Sequence, residues 1–327
     1  MFENQRRHKA AHGAMVMLLA MATAACAQKG GGNETLGDKL GTKPATVGGS
    51  RIVLPATSAK PDFSTGSVKF IGTATVLIDY AGMRILTDPN FLHKGQHVHL
   101  GYGLTSERLT DPAVEFDQLP PIGLVLLSHM HEDHFDKLVQ ENLPKNTPIV
   151  TTAGAARELG KLGFVNLHPL DIWSDLTVTR NGATLRIIAM PARHGPPVVS
   201  GTFPEAMGSM LEFQPAEGKT AYRMYISGDT LVYEDIEKIP RQYPEIDLAL
   251  LHLGGTRILN AVLVTMDAEQ GMKMLEIVAP RHAVPIHYND YTVFKSPIED
   301  FEKHVREAGW KEKVTFLKHG QSYSFKG

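Results

Sequence analysis

The chain has 327 residues, of which 43% are apolar, and its 33 Lys and Arg stand against 35 Asp and Glu. A formal net charge of −2 excludes a nucleic-acid-binding protein that works through a broad basic face. The apolar content excludes a wholly disordered chain. No apolar run approaches the roughly 18 residues of a membrane-spanning helix, which excludes a multi-pass membrane protein. The unusual residue type is histidine, with 15 copies beside a single cysteine.

The N-terminal segment has the features of an export signal. Residues 6–9 include three basic side chains, and the apolar run over residues 14–25 is too short to span a bilayer comfortably. This run ends at Cys26, and residues 23–26 (Thr-Ala-Ala-Cys) resemble a bacterial lipobox, in which the cysteine is lipidated. The alternatives are ordinary signal-peptidase cleavage after residues 25–27 (Ala-Cys-Ala) and an uncleaved tail. We predict a lipoprotein-type signal peptide over residues 1–26, and an exported, periplasmic protein tethered to a membrane through Cys26.

Two further segments follow in the chain. Residues 27–64 are rich in Gly, Thr, Ser, Pro and Lys, which predicts a flexible linker. Residues 65–327 form a single predicted domain. Short apolar or alternating runs predict strands at residues 68–71, 75–80, 84–87, 122–127, 185–189, 222–226, 248–253 and 283–286. Apolar positions at helical spacing predict helices at residues 153–162, 267–278 and 297–308. This mixture predicts layered α/β or α+β architecture.

The densest group of polar residues directly follows the buried strand predicted at residues 122–127. Residues 128–134 read Ser-His-Met-His-Glu-Asp-His. In an extended segment, His129 and His131 point to one side, as ligands of one ion should. A turn then places Asp133 and His134 beside them, toward a second ion. A solvated polar loop is the alternative, but three imidazoles and a carboxylate at a strand end favour a metal site.

This segment resembles the signature of the metallo-β-lactamase superfamily. The stretches at residues 70–78, 85–89 and 119–122 are similar to the branch that contains N-acyl-phosphatidylethanolamine phospholipase D and the ascorbate-6-phosphate lactonases. The resemblance covers about residues 67–320. It implies a four-layer αββα sandwich and a metal-dependent hydrolase.

The resemblance also implies the remaining metal ligands. A third histidine of the first metal corresponds to His194, and an aspartate that bridges both metals corresponds to Asp229 in the sequence Ser-Gly-Asp-Thr. The last histidine of the second metal corresponds to His287. The implied ligands are His129, His131 and His194 for one ion, Asp133, His134 and His287 for the other, and Asp229 for both. The ions are expected to be zinc, with manganese or iron as alternatives.

Several other polar residues have less specific interpretations. Asp88 ends a predicted strand, where it could orient a ligand histidine from behind or simply form a turn before Pro89. His252 lies on a predicted strand, which favours an interior histidine. The cluster of His93, His97 and His99 could line a pocket or lie on the surface, and is not expected to bind a third metal. Thr265 stands where the lipid-cleaving relatives carry an active-site histidine, which weakens any transfer of their phospholipid substrate.

The predicted reaction follows from the predicted ligands. Two ions lower the pKa of a bridging water, which then attacks phosphorus or a carbonyl carbon, and Asp133 orients this nucleophile or carries its proton. The expected function is hydrolysis of a small-molecule or lipid ester, with phosphodiesters ranked first because of the branch resemblance. The alternatives are a lactonase, a β-lactamase-type hydrolase and a non-catalytic metal-binding lipoprotein. Nucleic acid is not an expected partner, because the domain is acidic.

Overall fold

The computed structural model describes residues 51–101, 105–216, 218–258 and 261–327. The predicted signal peptide, Cys26 and residues 27–50 of the predicted linker lie outside this part of the chain. The strands are β1 (Arg51–Val53), β2 (Thr65–Gly72), β3 (Thr75–Tyr80), β4 (Met83–Thr87), β5 (His97–His99), β6 (Thr105–Glu107), β7 (Leu124–Leu126), β8 (Ile149–Thr151), β9 (Leu167–Pro169), β10 (Asp175–Arg180), β11 (Ala183–Pro191), β12 (Met207–Gln214), β13 (Tyr222–Ile226), β14 (Leu248–His252), β15 (Arg257–Ile258), β16 (Val262–Leu263), β17 (His282–Ile286) and β18 (Ser322–Lys326). The α-helices are α1 (Lys137–Asn142), α2 (Ala153–Lys161), α3 (Pro197–Ser200), α4 (Lys238–Gln242), α5 (Ala268–Val278) and α6 (Ile298–Glu307). Within the described ranges, no helix is both long enough and apolar enough to cross a membrane.

Two seven-stranded sheets form the centre of the domain. One has the order β1-β10-β11-β12-β13-β14-β17, and the other has the order β18-β2-β3-β4-β7-β8-β9. In the first sheet β13, β14 and β17 run parallel to one another, and in the second β4, β7, β8 and β9 do so. Parallel neighbours place their carboxyl ends at the same edge of a sheet, and ligands bind at such edges in α/β proteins.

Three apolar clusters separate the layers. The largest lies between the sheets and includes Val76, Ile78 and Leu211. A second cluster packs α5 and α6 onto the outer face of the first sheet, and a third packs α1 and α2 onto the outer face of the second. Each sheet therefore buries both faces, which explains why strands such as β14, whose five residues are all buried, are apolar except for His252. This arrangement confirms the predicted α/β class and the four-layer αββα sandwich.

Most of the predicted elements lie where the sequence pattern put them. Strands β3 and β13 have the predicted bounds, and the bounds of α5 and α6 differ from prediction by one residue at most at each end. A hairpin turn joins β3 to β4 with positive φ at Ala81 (52°) and Gly82 (74°), as a type I′ turn requires. Helix α5 begins after Asp267, whose side chain accepts a hydrogen bond from the Gln270 backbone N–H.

The flexible-linker prediction is wrong for its C-terminal part. Strand β1 pairs in parallel with β10, and Ile52 and Leu54 are buried in the cluster between the sheets. Further along, the Tyr80 hydroxyl donates to the backbone carbonyl of Phe63. The composition of this segment is typical of a linker. Pairing with β10 and burial of Ile52 and Leu54 nevertheless hold it at the edge of the sheet. The ordered domain therefore includes residues that precede the predicted start at residue 65.

Candidate metal centre

The loop between β7 and α1 carries four of the predicted ligands, and it is held at both ends. Asp136 caps α1 by accepting a hydrogen bond from the Val139 N–H (2.8 Å), and its other oxygen accepts from the Leu92 N–H (3.0 Å). Near the start of the loop, the Ser128 carbonyl accepts from the N–H of Met207 on the opposite sheet (3.0 Å). The Asn90 side chain donates to the Glu132 carbonyl (3.0 Å). These bonds fix the direction of the metal-binding side chains.

The other predicted ligands follow the ends of three strands of the first sheet. His194 lies after β11, Asp229 after β13 and His287 after β17. The turn before Asp229 requires Gly228, because φ is 61° there and an added Cβ would lie 2.5 Å from the Met207 carbonyl oxygen. The fold thus brings both sheet edges to one place.

The first group of donor atoms comes from three histidines. Nε2 of His129 lies 2.9 Å from Nδ1 of His131, and one ring nitrogen of each of these histidines lies within 4.8 Å of a ring nitrogen of His194. Nδ1 of His194 donates to the Val264 carbonyl (2.8 Å), which leaves its Nε2 without a proton and able to bind a cation. The Ser128 hydroxyl lies 3.0 Å from Nδ1 of His129, which similarly orients that ring.

The second group combines a carboxylate with two histidines. Donor atoms of Asp133, His134 and His287 lie within 4.8 Å of one another. Nε2 of His287 is 3.5 Å from Oδ2 of Asp133, and Nε2 of His134 is 3.9 Å from the same oxygen. Nδ1 of His287 donates a hydrogen bond to the Leu253 carbonyl (2.9 Å), so its Nε2 carries no proton and can bind a cation.

Asp229 connects the two groups. Its Oδ2 lies 3.9 Å from Nε2 of His194 in the first group and 3.5 Å from Nε2 of His134 in the second. Its Oδ1 lies 3.6 Å from Nε2 of His287. The buried Thr265 hydroxyl donates to Oδ2 over 2.9 Å and so fixes the rotation of the carboxylate. The structure therefore brings all seven predicted ligands together in the predicted two groups.

Unsatisfied polar atoms support a metal-binding role for this cluster. Oδ1 of Asp133, Nε2 of His134, Oδ1 of Asp229 and Nε2 of His287 are buried and have no hydrogen-bond partner among the described residues. Buried polar atoms are nearly always paired, because an unpaired one costs free energy. Four such atoms around one point, all of types that ligate divalent ions, fit metal binding.

The electrostatics differ between the two groups. Burial lowers the pKa of His129 and of His194, and burial together with His194 lowers the pKa of His131 to about 3. These imidazoles are neutral near pH 7, which is the form that binds metals. Burial alone would raise the pKa of Asp133, but the neighbouring His134 and His287 outweigh burial and hold this pKa at about 2. The carboxylate therefore stays charged and favours a cation beside it.

Asp88 lies behind the second group, which fits the first of its two interpretations, a carboxylate that orients a ligand histidine. Its Oδ1 accepts from the Ser128 N–H (2.6 Å), and its Oδ2 lies 3.3 Å from Nδ1 of His134. His252 is fully buried, with Nε2 3.4 Å from the same Oδ2 and Nδ1 3.3 Å from the Ser227 hydroxyl. His252 is thus an interior histidine, as predicted, and it contacts the residue that orients His134.

The remaining histidine cluster does not form a donor group. His93 pairs with Glu115 (3.1 Å), and His97 is exposed on β5. The backbone N–H of His99 donates to a Glu132 carboxylate oxygen (2.6 Å), which places His99 beside the metal-binding loop. Among the described residues, the donor groups close enough for a metal ion do not include these three histidines.

Sequence reasoning missed several residues that shape the centre. Asn90, Asp136 and the hydroxyl of Ser128 were not assigned a role, although Asp136 directly precedes a helix and is a typical N-cap residue. The contact of Thr265 with Asp229 was missed as well. No pattern in the sequence indicates that contact, because the two residues are joined only by the fold.

Comparisons with known proteins agree with this geometry. A model of the β-lactamase superfamily domain matches residues 83–288. A UPF0173 metal-dependent hydrolase from Thermus thermophilus is 30% identical over 243 residues, which cover 74% of this chain and 92% of the relative. A second such hydrolase, from Caldivirga maquilingensis, is 26% identical over 256 residues, or 78% of this chain and 96% of the relative.

A solved structure has the same fold. Isothiocyanate hydrolase from Delia radicum gut bacteria superposes with a TM-score of 0.67 and 20% identity, over 80% of this chain and all of that one (100%). At this identity the likeness shows the shared fold alone. The family model and the relatives, together with the clustered His and Asp donors, lead to one conclusion. This chain belongs to the β-lactamase superfamily and is a metal-dependent hydrolase.

Proposed function

We propose that the protein hydrolyses ester bonds with two bound metal ions. Among ester substrates, phosphodiesters are the first-ranked candidates. The observation that carries this proposal is the position of Asp229, whose carboxylate lies between two complete groups of metal-binding atoms. Two dications about 3.5–4 Å apart repel each other and need a shared anionic ligand. Asp229 satisfies that requirement.

The residues that would hold each ion follow from the two groups. His129, His131 and His194 would hold one ion, Asp133, His134 and His287 would hold the other, and Asp229 would bind both. Zinc suits these nitrogen and oxygen donors, and manganese or iron would also be accepted. When bound, the ions would supply a water of lowered pKa and would polarise the ester.

Asp133 is the residue best suited to handle the proton of that water. Its carboxylate is buried and charged, and its Oδ1 has no hydrogen-bond partner within the described part of the chain. His287 and His134 lie beside its other oxygen and would share the second ion with it. Asp133 would accept a hydrogen bond from the nucleophile, orient it and pass its proton toward the leaving oxygen.

The choice of ester rests on the stretches at residues 70–78 and 85–89, which resemble the phospholipase D and lactonase branch. The same centre would serve a lactone, which is the second candidate, and a β-lactam ranks below both. A small-molecule or lipid ester is therefore the proposed substrate.

The basic and apolar N-terminal segment supports export to the periplasm, and Cys26 supports a lipid anchor there.

A substrate panel with a matched variant tests this function. Metal-loaded protein is assayed with bis(4-nitrophenyl) phosphate, a γ-lactone and a chromogenic β-lactam, beside Asp229→Ala and the exposed-site control Asp171→Ala. We expect turnover of the phosphodiester that is lost in Asp229→Ala and kept in Asp171→Ala. Preferential turnover of the lactone would replace the phosphodiester assignment. A protein that holds two metals and hydrolyses none of the three would favour a non-catalytic metal-binding role.

A further inference from the structure

A cavity borders the metal centre at His131. His131 is partly exposed, whereas the other six members of the seven-residue cluster are buried. A cavity of about 400 Å³ lies beside it, with walls formed by residues 99–101, residues 130–132 and residues 202–204. We call this cavity the Phe203 pocket. Its volume is within the usual range for small-molecule sites, so one substituent of a substrate could fit in it while the reacting group lies at the metals.

The aromatic wall of this pocket is in direct contact with the first group of metal ligands. The ring of Phe203 lies 5.0 Å from the ring of His194 and 6.4 Å from that of His131, measured between centroids. A Cβ added to Gly195 would lie 3.1 Å from Phe203, so the glycine leaves room for the ring. Because Phe203 packs on these neighbours yet is partly exposed, it presents a fixed apolar face to whatever enters.

The rest of the wall is apolar except for the polar side chains of His99 and Thr202 and the carboxylate of Glu132. Leu100, Met130 and Pro204 supply apolar surface. Among the described lining residues there is no Lys or Arg, and the one carboxylate is that of Glu132. It accepts a hydrogen bond from the His99 N–H and lies 4.0 Å from Nζ of Lys137, which is outside the lining. An anionic substituent would lose its hydration without a Lys or Arg in the described part of this wall to pair with, and it would face the Glu132 carboxylate. An uncharged apolar substituent would instead gain burial against Phe203.

We propose that the Phe203 pocket binds an uncharged alkyl or aromatic substituent of the ester substrate. This rests on the proposed function, because it assumes an ester that reacts at the metals beside His131. It narrows the substrate class to esters with one bulky apolar group, and it excludes esters whose group at this position is a sugar phosphate or another anion. Phe203 is thereby a specificity-determining residue.

Two phosphodiesters with the same leaving group test the pocket by turnover. The metal-loaded enzyme is assayed with bis(4-nitrophenyl) phosphate and with methyl 4-nitrophenyl phosphate, beside Phe203→Ala and the control Val165→Ala, which changes a side chain that is 77% exposed. We expect Phe203→Ala to lower kcat/KM about tenfold for the aromatic diester and about twofold or less for the methyl diester, since apolar pockets discriminate by about 10–200-fold. Equal losses on both substrates would overturn the assignment.

A binding measurement keeps the inference testable if no diester is hydrolysed. Fluorescence titration with the neutral apolar dye N-phenyl-1-naphthylamine is carried out on wild-type protein, Phe203→Ala and Val165→Ala at equal metal content. We expect the dye to bind wild-type protein and Val165→Ala equally well, and Phe203→Ala about tenfold more weakly. Equal dye binding to all three proteins, or no binding to the wild type, would overturn the proposal that the Phe203 pocket binds apolar groups. Absence of turnover with intact dye binding would count against the phosphodiester proposal alone.

Discussion

Replacing Thr265 by Val tests whether the orientation of Asp229 governs metal binding. Valine has nearly the shape of threonine but has no hydroxyl, so the variant removes the 2.9 Å hydrogen bond to Oδ2 of Asp229 and leaves the packing nearly unchanged. A hydrogen bond to a charged group contributes about 1.5–3 kcal/mol. Part of this contribution stabilises the metal-free protein too, so only the part that depends on carboxylate orientation appears in metal affinity. We therefore expect about a tenfold loss, the lower end of the range for residues that orient metal ligands.

The assay is competition for zinc between the metal-free protein and a chromophoric chelator, which gives a dissociation constant for each variant. Thr265→Ser is the matched control, because it retains the hydroxyl, and it should bind zinc within about threefold of the wild type. The reasoning would be refuted if Thr265→Val bound zinc as tightly as the wild type. It would equally be refuted if Thr265→Ser lost as much affinity as Thr265→Val.

Three further predictions concern the residues that support the centre and the domain. A variant that begins at residue 65 lacks Ile52 and Leu54, which are 5% and 4% exposed in the full domain. Its free energy of unfolding, measured in urea, should be about 3–6 kcal/mol lower than that of a variant that begins at residue 51. Equal urea midpoints for the two variants would contradict a structural role for β1. Asp88→Asn keeps a residue type that tolerates the positive φ of 35° but removes the charge beside His134. Its affinity for the zinc ion held by Asp133, His134 and His287 should fall about 10–100-fold in the same chelator assay. Unchanged affinity would show that the charge of Asp88 does not contribute to metal binding. Gly228→Ala should lower the free energy of unfolding by more than about 1 kcal/mol, because φ is 61° and the methyl group would meet a carbonyl oxygen; an unchanged urea midpoint would contradict this.

The sequence predicted the parts of the fold that local patterns specify. Helix α5 has a capping aspartate and apolar residues at helical spacing, and α6 has a similarly strong pattern, so both were found almost to the residue. Strand β3 lies between two turns, at residues 73–74 and 81–82, and was also found. Strand β1 was missed because it has only three residues and gains its stability from pairing with β10, which is more than 100 residues away in the chain.

The candidate metal centre divides in the same way. His129, His131, Asp133 and His134 lie in one short segment, so their spacing alone indicated a metal site. The other predicted ligands are each a single polar residue after a strand, and only resemblance to a family could select them from other such residues. The hydroxyl of Thr265 and the ring of Phe203 could not be assigned from sequence, because their roles depend on which distant side chains the fold places beside them.

The most direct test of a binuclear ester hydrolase is a titration of activity with metal. Metal-free protein receives increasing equivalents of zinc, and the rate of bis(4-nitrophenyl) phosphate hydrolysis is followed at each step. The structure predicts that activity rises until two equivalents per chain are bound and then stays constant, since Asp229 joins two complete donor groups. A plateau at one equivalent, or no hydrolysis with two equivalents bound, would contradict the account.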